Sequence, residues 1–178
     1  MMAGTIIADR EDPMRLALAA AMLATLSPAA LAADVTRIDV LDTGTFVTET
    51  GAVTPDANMP HGETVAVTGA TPVDTATTVP AVIGTDFGFR YVVVGSPEGA
   101  PVALDFVSIY PEPGLADPEA DAPFREARFT REKAIGVPDY FGYKLEEPWE
   151  AVAGEWRFEI WHDGRKLAER TFTTTAPE

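Results

Sequence analysis

The chain has 178 residues and no cysteine, with 28 acidic against 13 basic side chains, a formal charge of −15 and a hydrophobic share of 46%. That length and apolar share suit one domain with a packed core, while the missing thiols exclude disulfide scaffolds, cysteine nucleophiles, thiolate zinc sites and iron–sulfur clusters. The acidic balance repels nucleic-acid phosphates and anionic lipid, so neither is an expected partner.

Met14 to Ala32 reads as a secretory signal peptide: Arg15, an apolar stretch from Leu16 to Leu26, a Ser27-Pro28 break, then Ala30-Leu31-Ala32 with small residues where a signal peptidase cleaves. The apolar stretch is roughly 16 Å long as a helix, too short to span a hydrocarbon core of about 30 Å, so no stable membrane insertion is expected after cleavage. Upstream, Asp9, Glu11 and Asp12 suit an n-region poorly, which favours Met14 over Met1 as the start. Residues 1–32 are therefore expected to be an N-terminal extension and export signal, and 33–178 a single domain in the periplasm or outside the cell. Two bases and three acids precede Ala33, so that domain carries −14.

From Val35 the pattern has period two. Val35–Val47 alternates Ile38 and Val40 against Arg37 and Asp39, with Gly44 a bend or bulge. Residues 48–82 are rich in Thr, Ala, Val, Pro and Gly with few large side chains, and read as an irregular segment with one or two short edge strands. Phe87–Val94 and Pro101–Tyr110 form two strands around the turn GSPEGA, with Phe87, Phe89, Tyr91 and Val93 on one face and Val102, Leu104 and Phe106 on another. Pro111–Pro123 is expected to be an exposed, proline- and acid-rich loop without ladder hydrogen bonds. Arg125–Ala134 reads as a charged edge strand, with a short helix as the alternative, and Tyr140–Glu147 as a further strand. The last unit is a hairpin, Gly154–Trp161 and Arg165–Thr174 around His162-Asp163-Gly164, in which Trp156, Phe158 and Ile160 face the core and Glu155, Arg157 and Glu159 face solvent. Leu167 and Phe172 differ in parity, which calls for a bulge or for Leu167 at the sheet's end. About seven or eight short antiparallel strands predict an all-β, two-sheet sandwich of immunoglobulin type, with a small antiparallel barrel as the alternative.

Three groups of residues carry a resemblance: Val79-Pro80-Ala81 with Gly84 and Phe87-Gly88-Phe89; Tyr143-Lys144-Leu145 with Pro148; and Gly154–Trp161 running through Asp163-Gly164-Arg165-Lys166-Leu167 to Phe172. Together they resemble small exported bacterial proteins grouped as a domain of unknown function. The resemblance covers about Val35 to Thr174 and implies an extracytoplasmic immunoglobulin-like β domain. It brings no catalytic residues with it.

The chemistry-bearing residues are sparse. A Ser-His-acid triad would have to come from Ser96, Ser108, His61 and His162, and none lies in a nucleophile-elbow motif. Two separated histidines without HExxH do not make a catalytic zinc site, and Asp117, Glu119 and Asp121 lack the calcium-loop pattern. A hydrolase with paired carboxylates needs a separation of about 5 to 9.5 Å that spacing does not specify. The basic group Arg125, Arg128, Arg131 and Lys133 fits ion pairing better than nucleic-acid stacking. Tyr140, Trp149 and Trp161 are the candidate binding aromatics, as contact anchors or sugar-stacking platforms. The sequence thus points to an exported, noncatalytic interaction module without cofactor or metal, its partner an envelope or secreted protein. A small-ligand or carbohydrate binder using those aromatics is the alternative.

Overall fold

The computed structural model describes residues 33–177, so the expected export signal at 1–32 lies outside the described residues. Among the described residues, nine strands build two facing sheets. They are β1 (Asp34–Pro55), β2 (Glu63–Asp74), β3 (Thr78–Pro80), β4 (Asp86–Ser96), β5 (Pro101–Ile109), β6 (Glu126–Ala134), β7 (Pro138–Lys144), β8 (Gly154–His162) and β9 (Arg165–Thr175). One sheet has the order β2-β1-β4-β7 and the other β3-β9-β8-β5-β6; all pairings are antiparallel except that of β3 with β9. Neither sheet closes on itself, so the architecture is a sandwich and the barrel alternative is set aside.

The core follows the period-two pattern. Phe87, Phe89, Tyr91 and Val93 of β4 and Trp156, Phe158 and Ile160 of β8 are all buried, as are Val102, Leu104 and Phe106 of β5. Phe87 anchors the centre, packing edge-on against Trp156 at 5.3 Å and against Phe172 of β9 at 5.3 Å. Such pairs add specific geometry to the area they remove from water. Trp156 also donates its Nε1 hydrogen to Thr174 Oγ1 at 3.0 Å, so its one polar group is satisfied inside. The β8–β9 turn has positive φ at Asp163 (48°) and Gly164 (73°), the two-residue geometry that matches strand twist. The parity conflict is resolved by a register shift: Ile160 pairs with Ala168 but Trp161 with Lys166, which leaves Leu167 as the bulged residue.

Three expectations are corrected. First, residues 48–82 are not irregular: β1 continues to Pro55 and β2 returns antiparallel to it. Small Thr, Val and Ala side chains supply no core signal there, but the backbone ladder needs none. Second, the loop 111–123 is not free of ladder bonds, because Leu115 is buried and exchanges two backbone hydrogen bonds with Phe124 (2.8 and 2.9 Å). Third, Glu159 is not solvated. It is 5% exposed, accepting from Trp161 Nε1 at 2.8 Å and pairing with Lys166 and Arg157. Burial alone would raise its carboxyl, but those donors outweigh it and hold the group below the usual range. Arg125–Ala134 is the edge strand rather than the helix: β6 ends its sheet.

β1 positions everything that follows. Its first half pairs with β4 up to Thr45, and from there its second half pairs with β2. Gly44 sits at this handover with φ 148°, and a Cβ there would lie 1.9 Å from the Asp74 carbonyl oxygen, so only glycine fits. Beyond it, Phe46–Pro55 and β2 form an arm laid against β7 and β6. Phe46 packs edge-on against Tyr140 at 5.0 Å, Thr48 Oγ1 donates to Asp86 Oδ2 at 2.6 Å, and Arg131 of β6 donates to Thr64.

Candidate binding cleft

Between the arm and the β6–β7 side of the body lies a cleft of about 470 Å³. Its floor is aromatic, with Phe106, Phe129, Phe141 and Tyr143; one wall is the arm, with the hydroxyl row Thr48, Thr50 and Thr54 of β1 and residues Glu63–Val67 of β2, and the other is β7. The floor is continuous with the core, since Phe106 stacks on Phe129 at 5.4 Å and meets Phe141 edge-on at 4.9 Å.

At one end, Glu150 organises the polar residues. The turn Pro148–Glu150 follows Glu147, and the Glu150 carboxylate bends back to accept the backbone N–H groups of Glu146 (2.6 Å) and Glu147 (2.7 Å). Its other oxygen accepts the Tyr143 hydroxyl and faces His61 Nε2 at 2.8 Å. A carboxylate 1% exposed is tolerated because both its oxygens are occupied. His61, at φ 65° in the β1–β2 connection, lies against the Trp149 ring at 4.7 Å. The turn thereby clips the arm to the body.

Mid-cleft, Asp86 is 6% exposed between two hydroxyls, Thr48 and Tyr140, the latter at 2.7 Å. Burial pushes its carboxyl up, and the two hydrogen bonds only partly oppose that. Burial likewise pushes the Tyr140 and Tyr143 hydroxyls up, and the carboxylates beside them add to it, so both stay protonated donors. Tyr140 lies across Gly88 and Gly142, where a Cβ would meet its hydroxyl oxygen at 2.7 and 2.2 Å. On β6, Lys133 pairs with Asp139 at 2.5 Å and Arg131 stands over the Phe129 ring at 5.0 Å. The Arg131 guanidinium donates to the Thr130 carbonyl at 2.9 Å and to Thr64, both neutral oxygens.

The three aromatics singled out from sequence do not meet. Tyr140 lines the cleft, Trp149 sits behind His61, and Trp161 lies on the other sheet, bound to Glu159 and covered by Lys166 at 5.4 Å. Of the hydrolytic candidates, Ser108 and His61 both line the cleft, but Ser108 is 3% exposed and His61 is engaged by Glu150. His162 instead contacts the Ala103 carbonyl at 3.1 Å. Asp117 accepts the Glu119 N–H at 2.8 Å, a turn-forming role. Of the basic group, Lys133 is paired and Arg125 meets Glu112 at 3.8 Å. Sequence reasoning passed over Asp86, Glu150 and Phe129. Only Glu150 leaves a local trace, as an acid three residues after Glu147 with Pro148 between, the pattern of a capped turn.

Residues 35–174 match the family described as a domain of unknown function (DUF3859). The chain belongs to that family. Among solved structures it is similar to an immunoglobulin-like protein from Pseudomonas aeruginosa, at 25% identity and a TM-score of 0.55, covering 79% of this chain and 98% of that one. No curated protein sequence matches the chain. The neighbour agrees with the sandwich, and the family span takes in the arm, β6, β7 and the Glu150 turn, hence the whole cleft.

Proposed function

We propose that this family member is an exported, noncatalytic binding module that takes its ligand in the cleft beneath the β1–β2 arm, the ligand belonging to an envelope or secreted protein. The observation that carries this reading is the cleft itself: about 470 Å³, aromatic below and hydroxyl-lined on one side. That combination suits recognition, because apolar contacts supply affinity and a few fixed polar groups supply orientation. Its polar groups are already engaged with one another, as Glu150 with His61 and Asp86 with Tyr140, an arrangement that shapes a site rather than driving a reaction. Export rests on the segment Met14–Ala32.

Thr50→Trp puts a large ring into the cleft from an exposed arm position. A ligand of the native cleft raises the melting temperature of the wild-type protein and leaves that of the variant unchanged, because binding to the folded state alone stabilises it, by about 2.7 kcal/mol at a hundredfold excess over Kd. Equal shifts in both proteins would place the ligand elsewhere. Export is checked by sequencing the N-terminus of protein recovered from the envelope or medium, which is expected to begin at Ala33.

A further inference from the structure

The cleft is lined unevenly. β1 contributes alternate residues, Thr48, Thr50, Ala52 and Thr54, as a strand does when it shows one face. β7 contributes every residue from Asp139 to Lys144, and β2 every residue from Glu63 to Val67. A strand that lines a cavity with consecutive residues is presenting its edge. β2 and β7 are the two free edges of the same sheet, so the cleft is the gap between them.

An antiparallel ladder leaves every second residue's N–H and C=O pointing away from the partner strand. On β7 the Tyr140 N–H is answered by the Asp139 carboxylate at 2.7 Å, an atom of its own chain on the side away from β4. Gly142 and Lys144 share its parity, so their N–H groups point to the same side as that of Tyr140.

β6 and β3 are defended throughout, whereas β7 has Pro138, Asp139 and Lys144 at its ends and the uncharged run Tyr140–Tyr143 between them. β6 carries Glu126, Arg128, Glu132 and Lys133 along its length, and β3 has only three residues. Short or charged edges resist strand addition. β2 has no charged residue between Glu63 and Asp74.

We infer that the cleft is a slot for an extended segment of a partner polypeptide, which enters as an added strand between the free edges of β2 and β7. This rests on the reading of the cleft as the binding site and names what fills it. Main-chain groups on both walls call for main-chain groups between them, which a peptide offers and a sugar does not. Along Asp139–Lys144 the slot holds roughly five residues at about 3.3 Å each. The segment is neutral or basic, since a chain carrying −14 beyond residue 32 repels an acidic one. The same charge disfavours a second copy of this chain as the occupant.

The test uses a random heptapeptide library displayed on phage, selected on the purified protein, with the enriched peptides synthesised and their affinities measured. Each is remade with N-methyl groups on alternate amides, in both phases, leaving every side chain in place. The expected result is that N-methylation weakens binding roughly tenfold per lost bond in both phases, because the strand bonds to β2 on one side and β7 on the other. Thr50→Trp is expected to abolish the same binding. Peptides that bind equally well when N-methylated, yet fail on Thr50→Trp, overturn the added strand but leave the cleft as the binding site. Peptides indifferent to Thr50→Trp defeat both readings. A library that yields no binder overturns the inference, as does sedimentation showing a dimer of this chain that Thr50→Trp separates.

Discussion

The two halves of β1 lie in one continuous strand and obey different rules. From Val35 to Gly44 it belongs to the sandwich, where Val35 and Ile38 are buried and the partner β4 contributes Phe87, Phe89 and Tyr91 to the core. From Val47 to Pro55 every described residue is exposed or half-exposed, and its partner β2 has no buried residue. The first half is held by area removed from water and the second by backbone hydrogen bonds plus a few side-chain clips. Regions held in the second way have the lowest local opening free energies in a protein, and binding elements are drawn from them.

Three substitutions break or sharpen that contrast. The largest effect falls in the sandwich: Trp156→Ala removes a fully buried indole and its bond to Thr174, and is expected to cost about 3 to 5 kcal/mol in denaturant unfolding. The arm should fall with the core, since it has none of its own. Next comes Gly44→Val at the handover, where the added Cβ meets the Asp74 carbonyl and φ is unsuited to a branched residue. It should cost about 1 to 3 kcal/mol and detach the arm. The readout is limited proteolysis cutting within 48–73 while near-ultraviolet circular dichroism of the aromatic core persists; loss of both together would show that the halves are not separable.

The smallest effect is pH-dependent. Burial raises the Asp86 carboxyl, so folding favours its protonated form. The resulting stabilisation is complete below a pH of about 4 and is lost as pH rises through the raised folded value. Asp86→Asn is uncharged throughout, so its stability relative to wild type should improve as pH rises from 4 toward neutrality, in melts across that range. A constant difference would mean that Asp86 titrates as an exposed aspartate does.

The sandwich was legible in sequence because large side chains alternate: Phe87, Phe89 and Tyr91, or Trp156, Phe158 and Ile160, can satisfy period two only as half-buried strands. The arm was not, because Thr, Ala and Val on an exposed two-stranded ribbon leave no such trace. Glu159 was misread for a related reason. It has the parity of a solvent-facing residue, and what buries it is Lys166 and Trp161 on the outer face, a cover that alternation does not encode. The cleft was least legible. Asp86, Arg131, Tyr140 and Glu150 come from four separate elements, gathered by the pairing of β4 with β7 and by the arm laid over them, neither of which leaves a local pattern.

The handover at Gly44 also decides how the molecule bears load. A strand seated against β2 and tugged lengthwise transmits tension into β1, whose other half is held by an antiparallel ladder to β4 over Asp34–Thr45. That ladder is then sheared, with its bonds loaded together instead of unzipped one at a time from an end. A tether anchored there resists pulling along its length better than peeling sideways.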